Sequence, residues 1–100
     1  MVAPQLRGPK PGKDMFYYVY IIKSLKDHNI YTGFTKNLKK RFSEHCLGKV
    51  TSTSPRRPLK LIYYEAYLSE KDARSRESYL KKGGNAKVNL KRQISRSLEN

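Results

Sequence analysis

Seven consecutive residues, Phe16-Tyr17-Tyr18-Val19-Tyr20-Ile21-Ile22, are aromatic or β-branched, with no polar residue among them. A strand with one wet face alternates apolar and polar residues, so an uninterrupted run of this kind suits a strand covered on both faces. It predicts the central strand of a sheet. Most other features of the chain follow from what must be arranged around it.

Lys26-Asp27-His28-Asn29 supplies turn residues, and Ile30-Tyr31-Thr32-Gly33-Phe34 reads as a second strand, so the two runs form a hairpin. Thr35 or Asn37 can cap a helix on which Leu38 and Phe42 stand four residues apart and bury one face, with Gly48 as its stop. After a Ser/Thr/Pro/Arg loop from Lys49 to Pro58, residues Leu59 to Tyr67 form a third strand. Ser69 followed by Asp72 approximates a capping box and opens a helix that runs through Lys82 to the Gly83-Gly84 pair. Asn85 can cap a last helix, in which Ala86, Leu90, Ile94 and Leu98 make a narrow apolar stripe. The expected fold is α+β, a small three-stranded antiparallel sheet flanked by helices in the order β-β-α-β-α-α. One domain over residues 15–98 follows an irregular tail over 1–14, where three prolines and two glycines oppose regular structure.

The 100 residues hold 22 Lys+Arg against 8 Asp+Glu, a net charge of +14. The excess is concentrated in two segments, 35–60 and 71–96, each carrying net +7, while the most apolar strands are nearly neutral. A hydrophobic scaffold presenting basic elements favours a polyanionic partner, DNA or RNA, over an anionic membrane, since no helix pairs its basic face with bulky exposed apolar residues. The single cysteine, Cys46, forms no internal disulfide, and the first residues lack the apolar core of an export signal. A cytoplasmic setting is the expectation.

Chemistry has few places to reside. Two histidines and one cysteine, with His45 next to Cys46, give neither a zinc-site spacing nor a nucleophile pair, and Gly83-Gly84 lacks the Lys-Ser/Thr of a phosphate loop. Arg41 and His45 project from one helix face, where guanidinium and imidazole can meet a single phosphate. Glu77 shares the inward stripe of its helix with Ala73 and Leu80 and must pair or bind a cation there. Ordinary pairings compete with these readings: Arg41 with Glu44, and Glu77 with Lys81.

Taken in order, Tyr18-Val19-Tyr20, Tyr31-Thr32-Gly33, the helix Leu38-Lys-Lys-Arg41-Phe-Ser-Glu-His45 and Ala73-Arg-Ser-Arg-Glu77 resemble the GIY-YIG nucleases, in particular their small stand-alone bacterial type. Residues Gly48 to Pro58 resemble the loop of those members. Tyr18, Val19 and Thr32 depart from the letters of the two triplets but keep both tyrosines and Gly33. The resemblance implies a metal-dependent endonuclease that hydrolyses DNA phosphodiesters in repair, recombination or processing, with one Mg2+ or Mn2+ ion held by Glu77. It implies that Arg41 holds the scissile phosphate and that Tyr31 is the base for the attacking water. Tyr20 would orient the water or phosphate, and His45 would hydrogen-bond the phosphate or relay a proton. For the family's asparagine, Asn89 is preferred to Asn85. Lys49, Arg56, Arg57, Lys81, Lys82 and Lys87 are expected to contact the nucleic-acid backbone without base specificity. A basic module of the same fold that binds without cutting is the competing reading. A homodimer or a protein partner would supply substrate preference in a chain this short.

Overall fold

The structure is a computed structural model that describes residues 15–99. The expected tail, residues 1–14, lies outside the described residues. Three strands, β1 (Tyr17–Ser24), β2 (Ile30–Thr35) and β3 (Leu59–Tyr67), form one antiparallel sheet in the order β2-β1-β3. The uninterrupted apolar run is therefore the central strand, and Val19 through Ile22 are all buried. Helix α1 (Leu38–Cys46) lies on one face of the sheet, while α2 (Glu70–Lys81) and α3 (Gly84–Gln93) lie on the other; a short α4 (Ser95–Glu99) follows.

Each face of β1 has its own core. Val19 and Ile21 pack with Ala73, Leu80, Leu90 and Ile94, and Tyr20 and Ile22 pack with Leu59, flanked by Leu38, Phe42 and Leu61. Each fully buried aliphatic side chain of this size contributes about 1.5–3 kcal/mol. The caps agree with the sequence at two places: the Asn37 side chain accepts from the Lys40 N–H, and the Ser69 hydroxyl accepts from the Asp72 N–H. Gly48 and Gly83 end their helices with φ of 79°, a conformation that favours glycine.

Two expectations are corrected. Asn85 is not a cap: α3 begins at Gly84 with Gly83 in the capping position, so Asn85 lies inside the helix. The last helix is also two, because Ile94 leaves the helical region at φ −108°, ψ 27°. A stripe repeating every fourth residue drifts about 40° per step around an α-helix, and a break at the buried Ile94 returns Leu98 to the core.

The sheet also holds an ion pair that periodicity does not signal. Glu65 on β3 receives hydrogen bonds from Tyr63 Oη at 2.7 Å, from Tyr67 Oη, and from Arg76 of α2 through both Nε and Nη2, the latter at 3.0 Å. Burial pushes the Glu65 carboxyl up, but the Arg76 guanidinium and the two phenols overcome this and hold it below the usual carboxylate range. Burial, and then the same carboxylate, push Tyr63 and Tyr67 up to about 12. A carboxyl whose pKa is lowered in the folded state stabilises the fold above the unfolded pKa and loses that contribution as pH falls through the folded one. Glu65→Gln is therefore expected to cost about 2 kcal/mol near pH 7, the scale of charged hydrogen bonds. The difference from the parent should shrink below about pH 4, as measured by urea denaturation across pH.

Candidate active site

α1 and α2 lie on opposite faces of the sheet, so their side chains can meet only past its edge. The edge strand β2 is six residues long, and it carries Gly33 directly across from Tyr20 of β1. A Cβ at Gly33 would lie 2.3 Å from the Tyr20 ring. The missing side chain is what lets the phenol lie against β2. An open pocket of about 400 Å³ forms there, lined among others by Tyr20, Tyr31, Arg41, His45, Thr53, Glu77, Lys81 and Lys87.

His45, near the end of α1, is only 4% exposed and is held at both ring nitrogens. Its Nε2 lies 2.9 Å from Tyr20 Oη, and its Nδ1 lies 2.7 Å from Oγ1 of the buried Thr53. Burial, and then the nearby Arg41 cation, lower the His45 pKa below its ordinary value. The imidazole is thus neutral near pH 7. Tyr20 is pushed up by burial against the opposing pull of Arg41, so it is a phenol and not a phenolate. The Arg41 guanidinium stands beside the Tyr20 hydroxyl in the pocket and opposes that rise. A neutral imidazole carries one N–H, so His45 donates to one of these two hydroxyls and accepts from the other.

Charge surrounds this neutral centre. Arg41 pairs with Glu44 at 3.0 Å and Glu77 with Lys81 at 2.9 Å, so both ordinary pairings weighed from the sequence are present. Glu77 nevertheless faces the pocket with its side chain 17% exposed. Tyr31 lines the same pocket, and its hydroxyl carries none of the hydrogen bonds that tie down Tyr20, Tyr63 and Tyr67.

Of the expected site residues, the structure brings together Tyr20, Tyr31, Arg41, His45 and Glu77, with Lys81 and Lys87 beside them. Asn89 is not brought to them: it is exposed on α3, and Lys87 is the residue of that helix that reaches the pocket. Asn85 does not line the pocket either. Lys49, Arg56, Arg57 and Lys82 lie outside the pocket on the surface, where Arg56 pairs with Asp27 at 3.3 Å and Arg57 Nε donates to the Ser54 carbonyl. His45 is also not a direct phosphate ligand as placed, because both of its nitrogens are occupied by Tyr20 and Thr53. Thr53 was not singled out from the sequence. It lies among hydroxyl residues of a loop, and only the fold shows that it alone of Thr51, Ser52 and Thr53 is buried.

Among the described residues, no group of three or more His, Cys, Asp or Glu side chains is placed to hold a metal ion. The pocket offers one carboxylate, Glu77, among cations. A single hard oxygen donor fits a hard divalent ion such as Mg2+, which commonly uses one or two carboxylates and completes its shell with water and substrate phosphate oxygens. It does not fit a softer ion held by an all-protein cage.

Fold and site together define a basic α+β domain with a pocket of three cations and one carboxylate at a sheet edge. Residues 16–91 match the family model of the GIY-YIG catalytic domain, and the chain belongs to the GIY-YIG family. It is 47% identical over 66 residues to a UPF0213 protein of Clostridium perfringens, covering 65% of this chain and 70% of that protein. To a UPF0213 protein of Pediococcus acidilactici it is 40% identical over 75 residues, covering 72% of this chain and 74% of that protein. The solution NMR structure of the UPF0213 protein BH0048 from Bacillus halodurans is similar, with 31% identity and a TM-score of 0.50 over 80% of this chain and 85% of that one. Members of this family are generally endonucleases that act on DNA with a divalent metal ion.

Two outcomes are expected of the site. In an NMR titration the His45 ring should have its midpoint below about 6.5, and Arg41→Met should move it toward that value. Gly33→Ala must displace a phenol that is buried and hydrogen-bonded. It should therefore lower stability by about 1–3 kcal/mol and move the His45 resonances, as measured by urea denaturation and NMR.

Proposed function

We propose that this protein is a metal-dependent endonuclease that hydrolyses DNA phosphodiesters in this pocket, and that Glu77 holds its Mg2+ or Mn2+ ion. The observation that carries the reading is the convergence past one sheet edge of Arg41, Tyr20, Tyr31 and Glu77, drawn from both sides of the sheet. A divalent ion bound there supplies charge stabilisation at a phosphodiester oxygen.

The chain's own residues have separable tasks. Arg41 binds the scissile phosphate and offsets the charge added as water attacks, a role suited to a fixed, permanently charged guanidinium. Lys81 and Lys87 hold the neighbouring phosphates or the same one from the far side of the pocket. Tyr31 is the group that takes the proton of the attacking water at its hydroxyl oxygen. Arg41, Lys81 and Lys87 line the same pocket as its hydroxyl. Tyr20 is the poorer candidate for that task, since its hydroxyl is already engaged by His45 Nε2 and burial raises its pKa. It stands beside Arg41 instead, held in place by the Thr53–His45 pair.

A second reading has an observation of its own. Arg41 and Glu77 both already have charged partners, Glu44 and Lys81, as they would in a domain that binds without cutting. Glu77→Gln separates the two. For the nuclease it should lower Mg2+-dependent cleavage by about a thousandfold while leaving metal-free binding of the same DNA within about twofold, measured by gel cleavage assays and fluorescence anisotropy on duplex, branched and single-stranded substrates. Cleavage that is absent from the parent protein, or that survives the substitution, sinks the enzymatic reading and leaves the binding module.

A further inference from the structure

The pocket does not end at Arg41. A second depression, lined by Thr35, Lys36, Asn37, Lys40, Arg41 and Glu44, shares Arg41 with it. A third, of about 490 Å³, shares Lys36 and Asn37 with the second and is lined further by Tyr18, Lys39, Phe42 and Leu61. The three form one track that leaves the active site, passes the start of α1 and arrives at an aromatic groove on the α1 side of the sheet. Along it the ends differ. The middle is polar and mostly cationic, with Lys36, Lys40 and Arg41, and the far end is apolar with lysines at its rim.

The aromatic end is open because α1 is too short to cover the sheet. Tyr18, Tyr20 and Ile22 alternate onto the α1 face of β1, and Tyr64 and Ala66 pair with Tyr20 and Tyr18 across β3. The nine residues of α1 cover the Ile22 end through Leu38 and Phe42, while Tyr64 is 53% exposed and Ala66 is exposed as well. Tyr18 and Tyr64 meet edge to face at 5.8 Å between ring centres. Rings standing at an angle to each other leave a ring face available for a planar group.

We infer that this track carries the strand whose phosphate sits at Arg41, and that the groove of Tyr18, Phe42 and Leu61 takes its unpaired bases. The inference rests on the nucleic-acid reading of the pocket and names the form of substrate, a polynucleotide strand whose bases are free of pairing at this position. Charge complementarity selects the occupant: a lysine-rimmed apolar groove joined to a phosphate site suits a chain that alternates anionic phosphates with flat apolar bases. A fully paired duplex has its base faces stacked inside and can offer the groove only its backbone.

The test is binding without divalent metal, so that it reads the track and not the chemistry. Affinities for a labelled oligothymidine and for a blunt duplex of equal length are compared by fluorescence anisotropy for the parent, Tyr18→Ala, Tyr18→Phe and Lys39→Glu. Tyr18→Ala should weaken the single strand about tenfold, the scale of losing one stacked base, and leave the duplex within about twofold. Tyr18→Phe, which keeps the ring, should bind both like the parent. Lys39 is exposed on α1, so Lys39→Glu tests the rim without disturbing the core, and it should weaken the single strand several-fold more than the duplex. Equal losses on both nucleic acids, or none on the single strand, overturn the inference. So does concentration-dependent self-association that Tyr18→Ala abolishes, since a second copy would then occupy the groove. A parent protein that binds single strands through Tyr18 but never cuts would sink the nuclease reading and leave this one standing.

Discussion

A missing side chain at Gly33 is the constraint on which the site depends. The two helices that carry Arg41 and Glu77 are separated by a sheet, and groups on opposite faces of a sheet can share a ligand only past an edge. β2 is that edge, and any residue larger than glycine at the position facing Tyr20 would occupy the space of the phenol. With the ring lying against β2, its hydroxyl reaches His45, and His45 in turn reaches Thr53 of the following loop. One atom's absence on the edge strand thus links β1, β2, α1 and the loop at a single point.

The electrostatic design follows from where burial stops. The linked groups at the centre are kept uncharged: burial lowers the His45 pKa and raises that of Tyr20, in each case favouring the neutral form. The charges stand at the rim, where water and a phosphodiester can solvate them. This division has a physical advantage, because a neutral hydrogen-bonded chain can be buried at modest cost whereas a buried unpaired charge cannot. The chain's +14 is spent in the same way: Lys81, Lys87 and Arg41 reach the pocket, while Arg56 and Arg57 are tied to local acceptors on the surface.

Much of this was legible in the sequence, and the exceptions have a common cause. Phe16 to Ile22 predicted a central strand because local composition alone requires two covered faces. Asn37 and Ser69 were readable as caps because capping is decided within three residues. The pocket residues Tyr20, Tyr31, Arg41, His45 and Glu77 were legible mainly through an ordered motif set. What was missed depends on contacts distant in sequence. Thr53 is singled out from its hydroxyl neighbours only by the placement of His45, Glu65 becomes a bound carboxylate only when Arg76 arrives from α2, and Asn89, preferred through the family resemblance, is exposed on α3 and does not line the pocket. The break at Ile94 likewise answers to the core and not to helix propensity.

The consecutive pair Arg76 and Glu77 shows how a structural contact and a site residue come to share one helix. Neighbouring residues on an α-helix point about 100° apart, and here Arg76 reaches β3 while Glu77 reaches the pocket beside β2. α2 buries only Ala73 and Leu80 fully against the sheet, and a stripe that narrow resists sliding better than it resists rolling about the helix axis. The two-pronged bond of Arg76 to Glu65 supplies what the stripe lacks, because a planar guanidinium on a carboxylate fixes direction as well as distance. The carboxylate at Glu77 is thereby aimed from the far edge of the sheet. This ion pair outside the site acts on the roll of α2 together with the Arg74 guanidinium, which lies 4.0 Å over the Phe34 ring of β2.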